Sequence, residues 1–236
     1  MFFPGPEHQG SRRPEASDTS VGSGPRVRMD AWQRFMGGLL WGPMKTLYRL
    51  QAEGVENLPA EGGYVLASNH LSNFDPWILA YPLWPRRRLR SMAKSELFNP
   101  VLAPLLRASG AFPVRRGGMD RDAYRTAVEI VRAGEVLLVF PEGARRAKGR
   151  WKGERRRRQQ VQSGAARIAL SAGGAIVPAA LIGTDRLTRL GPVRVAFGAP
   201  LETDGLECRS RHEAAETLTG RLMTAIRELE AGLRAG

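Results

Sequence analysis

Tyr64-Val65-Leu66-Ala67-Ser68-Asn69-His70-Leu71-Ser72-Asn73-Phe74-Asp75-Pro76 is the stretch on which the reading of this chain turns. Its first five residues form an uncharged, apolar run of strand length. Small polar residues follow, then Asp-Pro, a pair suited to opening a helix because Asp caps and Pro tolerates the first helical position. The stretch therefore predicts a strand over 64–68, a turn, and a helix over 76–83. It also holds His70, one of three histidines beside His8 and His212. Only His70 directly follows an apolar run. Asp75 lies one helical turn further on, where a carboxylate can fix the tautomer of an imidazole acting as general base. The competing reading is structural: a hydrogen-bonded histidine beside an ordinary helix cap.

Outward from this unit the chain alternates. Strands are predicted over 91–93, 111–114, 136–140, 176–182 and 193–197, and helices over 96–108, 120–133 and 164–172. The run Val136–Phe140 is apolar throughout, as in a strand buried on both faces. Pro100 and Pro104 interrupt the 96–108 helix, and Pro178 interrupts the 176–182 strand. Ser210-Arg211-His212-Glu213 has capping-box spacing and opens a C-terminal helix with Leu218, Leu222, Ile226, Leu229 and Leu233 on one stripe. Strands alternating with helices define an α/β fold, a single domain with a mostly parallel central sheet flanked by helices.

The predicted organisation is a disordered leader over 1–28, an amphipathic helix over 29–50, the main domain over 51–205 and a C-terminal helix over 206–236 packed on it. The leader is rich in Gly, Pro, Ser and charge. In the 29–50 segment Trp32, Phe35, Met36, Leu39 and Leu40 follow helical spacing. Such a helix either lies in a bilayer interface or packs on the core.

The chain has 236 residues, one cysteine and a formal net charge of +13, with a pI near 11.1. One cysteine excludes an intrachain disulfide, and His/Cys spacing offers no zinc site, so no metal is expected. The charge points to anionic partners: phospholipid surfaces, phosphorylated substrates or nucleic acid. No recognition helix, zinc finger or aromatic RNA-binding signature appears, which argues against nucleic acid. No apolar run reaches the roughly 20 residues a membrane span needs. The start of the chain lacks the basic region and apolar core of a signal peptide. These features predict a domain on the cytoplasmic face of a cell membrane, peripheral or monotopic.

Further polar residues fall at predicted strand ends, where open α/β sheets build their sites. Gly110 leads a strand that ends at Arg115 and Arg116. Phe140-Pro141-Glu142-Gly143 places a carboxylate and a flexible backbone after the most buried strand. With Asn69, His70 and Asp75 these residues form four ordered blocks, N-H-x-x-x-x-D, G-x-F-x-x-x-R, F-P-E-G-x-R and V-P, the last at Val177-Pro178. In that order and spacing the chain resembles the glycerolipid acyltransferases, in particular the 1-acylglycerol-3-phosphate acyltransferases, over about residues 50–200. Phe112 stands one place earlier than in the commonest form. Lys94 and Glu96-Leu97-Phe98 match the segment between the first two blocks. Ala144 and Arg146 depart from the pattern, standing where the family has a hydroxyl pair.

The resemblance implies acyl transfer from acyl-CoA or acyl carrier protein to the sn-2 hydroxyl of 1-acyl-glycerol-3-phosphate, giving phosphatidic acid. No cofactor is implied beyond the thioester co-substrate. His70 and Asp75 would be catalytic. Arg116, Arg145 and Lys94 would bind the acceptor phosphate and Glu142 would position the glycerol. Asn69, Gly110, Phe140, Pro141, Gly143 and Pro178 complete the implied substrate site, and backbone N–H groups near Gly143 would meet the oxyanion. The partners implied are a lysophospholipid and an anionic membrane surface, which the basic segment Arg145–Arg158 with Trp151, and the patch Arg86-Arg87-Arg88 with Arg90, would face. The alternative acceptor is another lyso-lipid, such as a lyso-ornithine lipid.

Overall fold

Two uncharged runs pair in parallel at the middle of the sheet: β2 (Tyr64–Ser68) beside β5 (Val136–Val139), in register from Tyr64 opposite Val136 to Ala67 opposite Val139. Val65, Leu66 and Leu137 are fully buried, because helices cover both faces. The computed structural model describes residues 38–39, 42, 45–115, 120–143, 163–189, 191–205 and 210–236. The remaining elements are β1 (Gln51–Glu53), α1 (Asp75–Ala80), β3 (Leu89–Lys94), α2 (Ala103–Ala108), β4 (Ala111–Val114), α3 (Arg121–Arg132), α4 (Gly164–Ala172), β6 (Ile176–Ile182), β7 (Arg194–Phe197) and α5 (Arg211–Ala235).

The sheet order is β1-β7-β6-β2-β5-β3-β4. All pairings are parallel except β6 with β7. Side chains alternate across β2, so its two faces join different cores. Val65 and Ala67 pack with Ala127 and Ile130 of α3, Ala169 of α4 and Leu218, Leu222 and Ile226 of α5. Tyr64 and Leu66 pack with Ile78 and Leu79 of α1 and with Leu83.

Two segments differ from their sequence reading. The 96–108 helix divides into a 3-10 turn at Ser95–Leu97 and a short α2, with Pro104 in its first turn. The side-chain carbonyl of Asn99 accepts from the N–H groups of Val101 and Leu102 and closes the turn between them. Pro178 does not interrupt β6. The antiparallel ladder with β7 begins at Ala179 opposite Phe197, one residue beyond the proline. Toward β2 the bonds fall on alternate residues, starting from Val65 N–H donating to Ala175 O. The missing N–H of Pro178 therefore costs the β2 side nothing; toward β7, Gly198 N–H donates to Pro178 O at 2.8 Å, and Pro178 cannot return the second bond of that pair, so the ladder ends there.

The leader over 1–28 lies outside the described residues. Of the 29–50 segment the described part is helical at Gly38, Leu39, Gly42 and Lys45–Leu47, with Leu39 and Leu47 exposed.

Candidate active site

The carboxyl end of β2 sets the position of His70 through the residue before it. Asn69 is fully buried; its amide donates to Leu181 O at 3.0 Å and accepts from Leu181 N–H at 2.9 Å. This two-point bond continues the β2–β6 pairing one step past the strand with a side chain. Asn69 was expected at the substrate. In the structure both ends of its amide are used by the neighbouring strand.

His70 then leaves the sheet, and the chain turns into α1 within five residues. Asp75, fully buried, holds that turn together. One of its oxygens, Oδ2, accepts from Leu71 N–H at 2.6 Å, Ser72 N–H at 2.7 Å and His70 Nδ1 at 2.8 Å. Its other oxygen has no partner among the described residues. Pro76 follows at a position that needs no donor. The His70 ring stacks on Phe140 with centroids 3.9 Å apart and planes 14° apart. The bond at Nδ1 makes that nitrogen the N–H donor, which leaves the lone pair on Nε2. A stacked ring anchored at one nitrogen presents the other in a fixed direction. That is the arrangement a general base requires.

The neighbouring strand ends follow along the same edge. Phe140, Pro141, Glu142 and Gly143 form the turn after β5, and Gly143 adopts φ +67°, a conformation favoured by glycine. The N–H of Gly143 donates to Phe140 O at 3.0 Å. That closes the turn and removes this group as an oxyanion donor. Lys94 ends β3, exposed, two strand spacings from β2, or roughly 10 Å. Beyond β4, Arg115 N–H donates to Asp120 Oδ2 at 2.9 Å, and Ala123 N–H donates to its Oδ1 at 3.0 Å. The Arg115 and Ala123 N–H bonds hold the Asp120 carboxyl below its ordinary range. Asp120 thus ties the end of β4 to the start of α3. Its only sequence signal was a carboxylate at a helix start. Arg116, Arg145, Ala144, Arg146 and the rest of the Arg145–Arg158 segment lie outside the described residues.

Topology places three further groups of expected residues. Gly110 immediately precedes β4 and therefore lies at the amino edge of the parallel sheet, opposite His70. Its φ is +87°, and a Cβ there would collide with Leu89 O. Glycine is needed here for close packing of β4 on β3. Pro178 faces the other layer, where Gly198 and Leu229 lie close to it. Arg86-Arg87-Arg88 precede β3 and so also fall at the amino edge. Arg87 donates there to the carbonyls of Pro59, Ala60, Gly62 and Gly134. Arg90 donates to Gly110 O and pairs with Glu135 at 3.3 Å.

An α/β sheet that carries a carboxylate-oriented histidine at its carboxyl edge has the parts of an enzyme that activates a hydroxyl. The chain belongs to the acyltransferase family, whose model matches residues 49–182. Among its relatives is the 1-acyl-sn-glycerol-3-phosphate acyltransferase of Bacillus subtilis (strain 168), 30% identical over 179 residues, spanning 74% of this chain and 85% of the relative. The enzyme of the same description from Streptococcus pneumoniae is 26% identical, over 81% of this chain and 69% of its own. The fold is shared with the crystal structure of the 1-acyl-sn-glycerophosphate acyltransferase PlsC from Thermotoga maritima. The TM-score is 0.59 at 22% identity, over 84% of this chain and 78% of that one.

Proposed function

We propose that this protein transfers an acyl chain from a thioester, acyl-CoA or acyl carrier protein, to the sn-2 hydroxyl of 1-acyl-glycerol-3-phosphate, forming phosphatidic acid. The observation that carries the chemistry is the 2.8 Å bond between His70 Nδ1 and Asp75 Oδ2 on a ring stacked against Phe140. The relatives' descriptions support the choice of acceptor. Nε2 takes the hydroxyl proton as the oxygen attacks the thioester carbon. The C–S bond then breaks, and the proton passes from the imidazolium to the departing thiolate. Asp75 stabilises the imidazolium formed between these steps. A positioned base of this kind is worth about 10²- to 10⁴-fold in rate. Lys94, Arg116 and Arg145 bind the acceptor phosphate and Glu142 orients its glycerol. The enzyme works at the cytoplasmic face of the membrane, where both acceptor and product reside.

The test offers purified protein a labelled acyl-CoA together with lysophosphatidic acid, a lysophosphatidylglycerol and a lyso-ornithine lipid. Labelled phosphatidic acid as the main product is expected. Preferential labelling of either competitor overturns the acceptor assignment and leaves the acyltransferase.

A further inference from the structure

Among the described residues, eight large hydrophobic side chains are exposed, and five of them gather around one end of one layer: Phe74, Leu97, Val101, Leu102 and Leu105. The connections from β2 to β3 and from β3 to β4 both step the same way across the sheet. Right-handed crossovers therefore place α1 and α2 on the same face. Phe74 immediately precedes α1, and the segment carrying Leu97, Val101 and Leu102 runs from the carboxyl end of β3 into α2. The five residues thus lie on His70's layer and share its edge.

The patch is held open rather than left loose. Asn99 Oδ1 accepts from Val101 N–H at 3.1 Å and from Leu102 N–H at 2.9 Å. Ala103 N–H donates to Asn99 O at 2.9 Å. These bonds fix a turn whose tip, Val101, is 84% exposed. Exposing several large apolar side chains together is unfavourable in water and marks a contact surface. Exposed cations flank it at Lys94, Arg107 and Arg115, against one exposed carboxylate at Glu96. An apolar tip ringed by cations matches the acyl boundary and phosphates of an anionic leaflet. No described helix is long and apolar enough to cross a membrane.

We infer that the Leu97–Leu105 turn, with Phe74, inserts into the interfacial region of an anionic bilayer and seats the His70 edge against it. The inference rests on the proposed lysophospholipid reaction for its purpose. Its test uses vesicles with no acceptor present, so the two can fail separately.

The full chain is sedimented with vesicles of equal parts phosphatidylglycerol and phosphatidylcholine. Val101→Gln/Leu105→Gln alters two exposed side chains without altering charge. It is expected to weaken vesicle binding by at least about tenfold, given the transfer free energy of a Val and a Leu. Acylation of a short-chain acceptor kept below its micelle concentration should be unchanged. In a second variant, Val101→Trp, the emission added over that of wild type, with its five tryptophans, should shift to the blue on binding and be quenched by brominated acyl chains. Undiminished binding, or an indole untouched by those quenchers, overturns the inference. So does a wild-type dimer that the double substitution converts to monomer, which would make the patch an interface between two copies. Lack of acyl transfer to the short acceptor by wild type would instead overturn the proposed reaction.

Discussion

The two edges of the sheet use similar polar residues in opposite ways. At the amino edge, Arg87 spends its guanidinium on four backbone carbonyls, and Arg90 binds Gly110 O and Glu135. At the carboxyl edge, Asp75 spends one oxygen on the turn and on His70 while the ring keeps a nitrogen open for chemistry. The amino edge is a closed account of donors and acceptors; the carboxyl edge is left incomplete. Charge density alone does not separate the two. What separates them is the direction of the strands, because all the connections that cradle a ligand in a parallel sheet leave from the carboxyl ends.

Substitutions that remove one edge's bonds at a time test the contrast. The largest effect is expected at Asp75. A single oxygen takes all three of its donors, so Asp75→Asn can keep those bonds by placing its carbonyl oxygen there. The charge that stabilises the imidazolium is lost. Acyl transfer should fall by about 10²- to 10⁴-fold with the fold kept, the thermal midpoint dropping by only a few degrees because the Asn N–H2 takes the place of the unpartnered oxygen. Steady-state rates and a melting curve on one preparation check this. A collapse of the fold would place Asp75 with the amino-edge residues, as structure alone.

Arg87→Ala should do the reverse. It leaves four carbonyls without their shared charged donor, at a cost of about 3 kcal/mol of stability by chemical denaturation. The rate per folded molecule should hold. A fall in that rate at full folding would join the two edges functionally.

The smallest effect is expected at Tyr64, which lies at the amino end of β2. Burial pushes its hydroxyl pKa up, and the Arg87 guanidinium over its ring offsets part of this. The hydroxyl has no hydrogen-bond partner among the described residues. Tyr64→Phe should therefore change stability by less than about 1 kcal/mol, in either direction. A larger loss would reveal a bond the structure does not contain.

The contrast also explains what the sequence could and could not tell. β2 and β5 were legible because burial on both faces demands uncharged runs, and the long α5 because its leucines recur at helical spacing. β1 was not: Gln51-Ala52-Glu53 is a three-residue edge strand with no apolar pattern. The 96–108 segment reads as a helix interrupted at Pro100 and Pro104 because its apolar residues suit one; the Asn99 turn divides it outright. His70 and Asp75 were legible because their chemistry is local, five residues apart. The positions of Gly110, Pro178 and Asn69 in the fold were not legible, for a shared reason. Order along a chain tells which residues accompany one another, but not which end of a strand or which face of a sheet each occupies. Asn69 needed Leu181, 112 residues away, to explain it.

The most direct test of the central claim is the rate of acyl transfer to lysophosphatidic acid by His70→Ala, measured beside wild type at matched thermal midpoints. The account predicts a fall of at least about 10²-fold with folding unchanged. Transfer at the wild-type rate would contradict it and move the base away from the carboxyl end of β2.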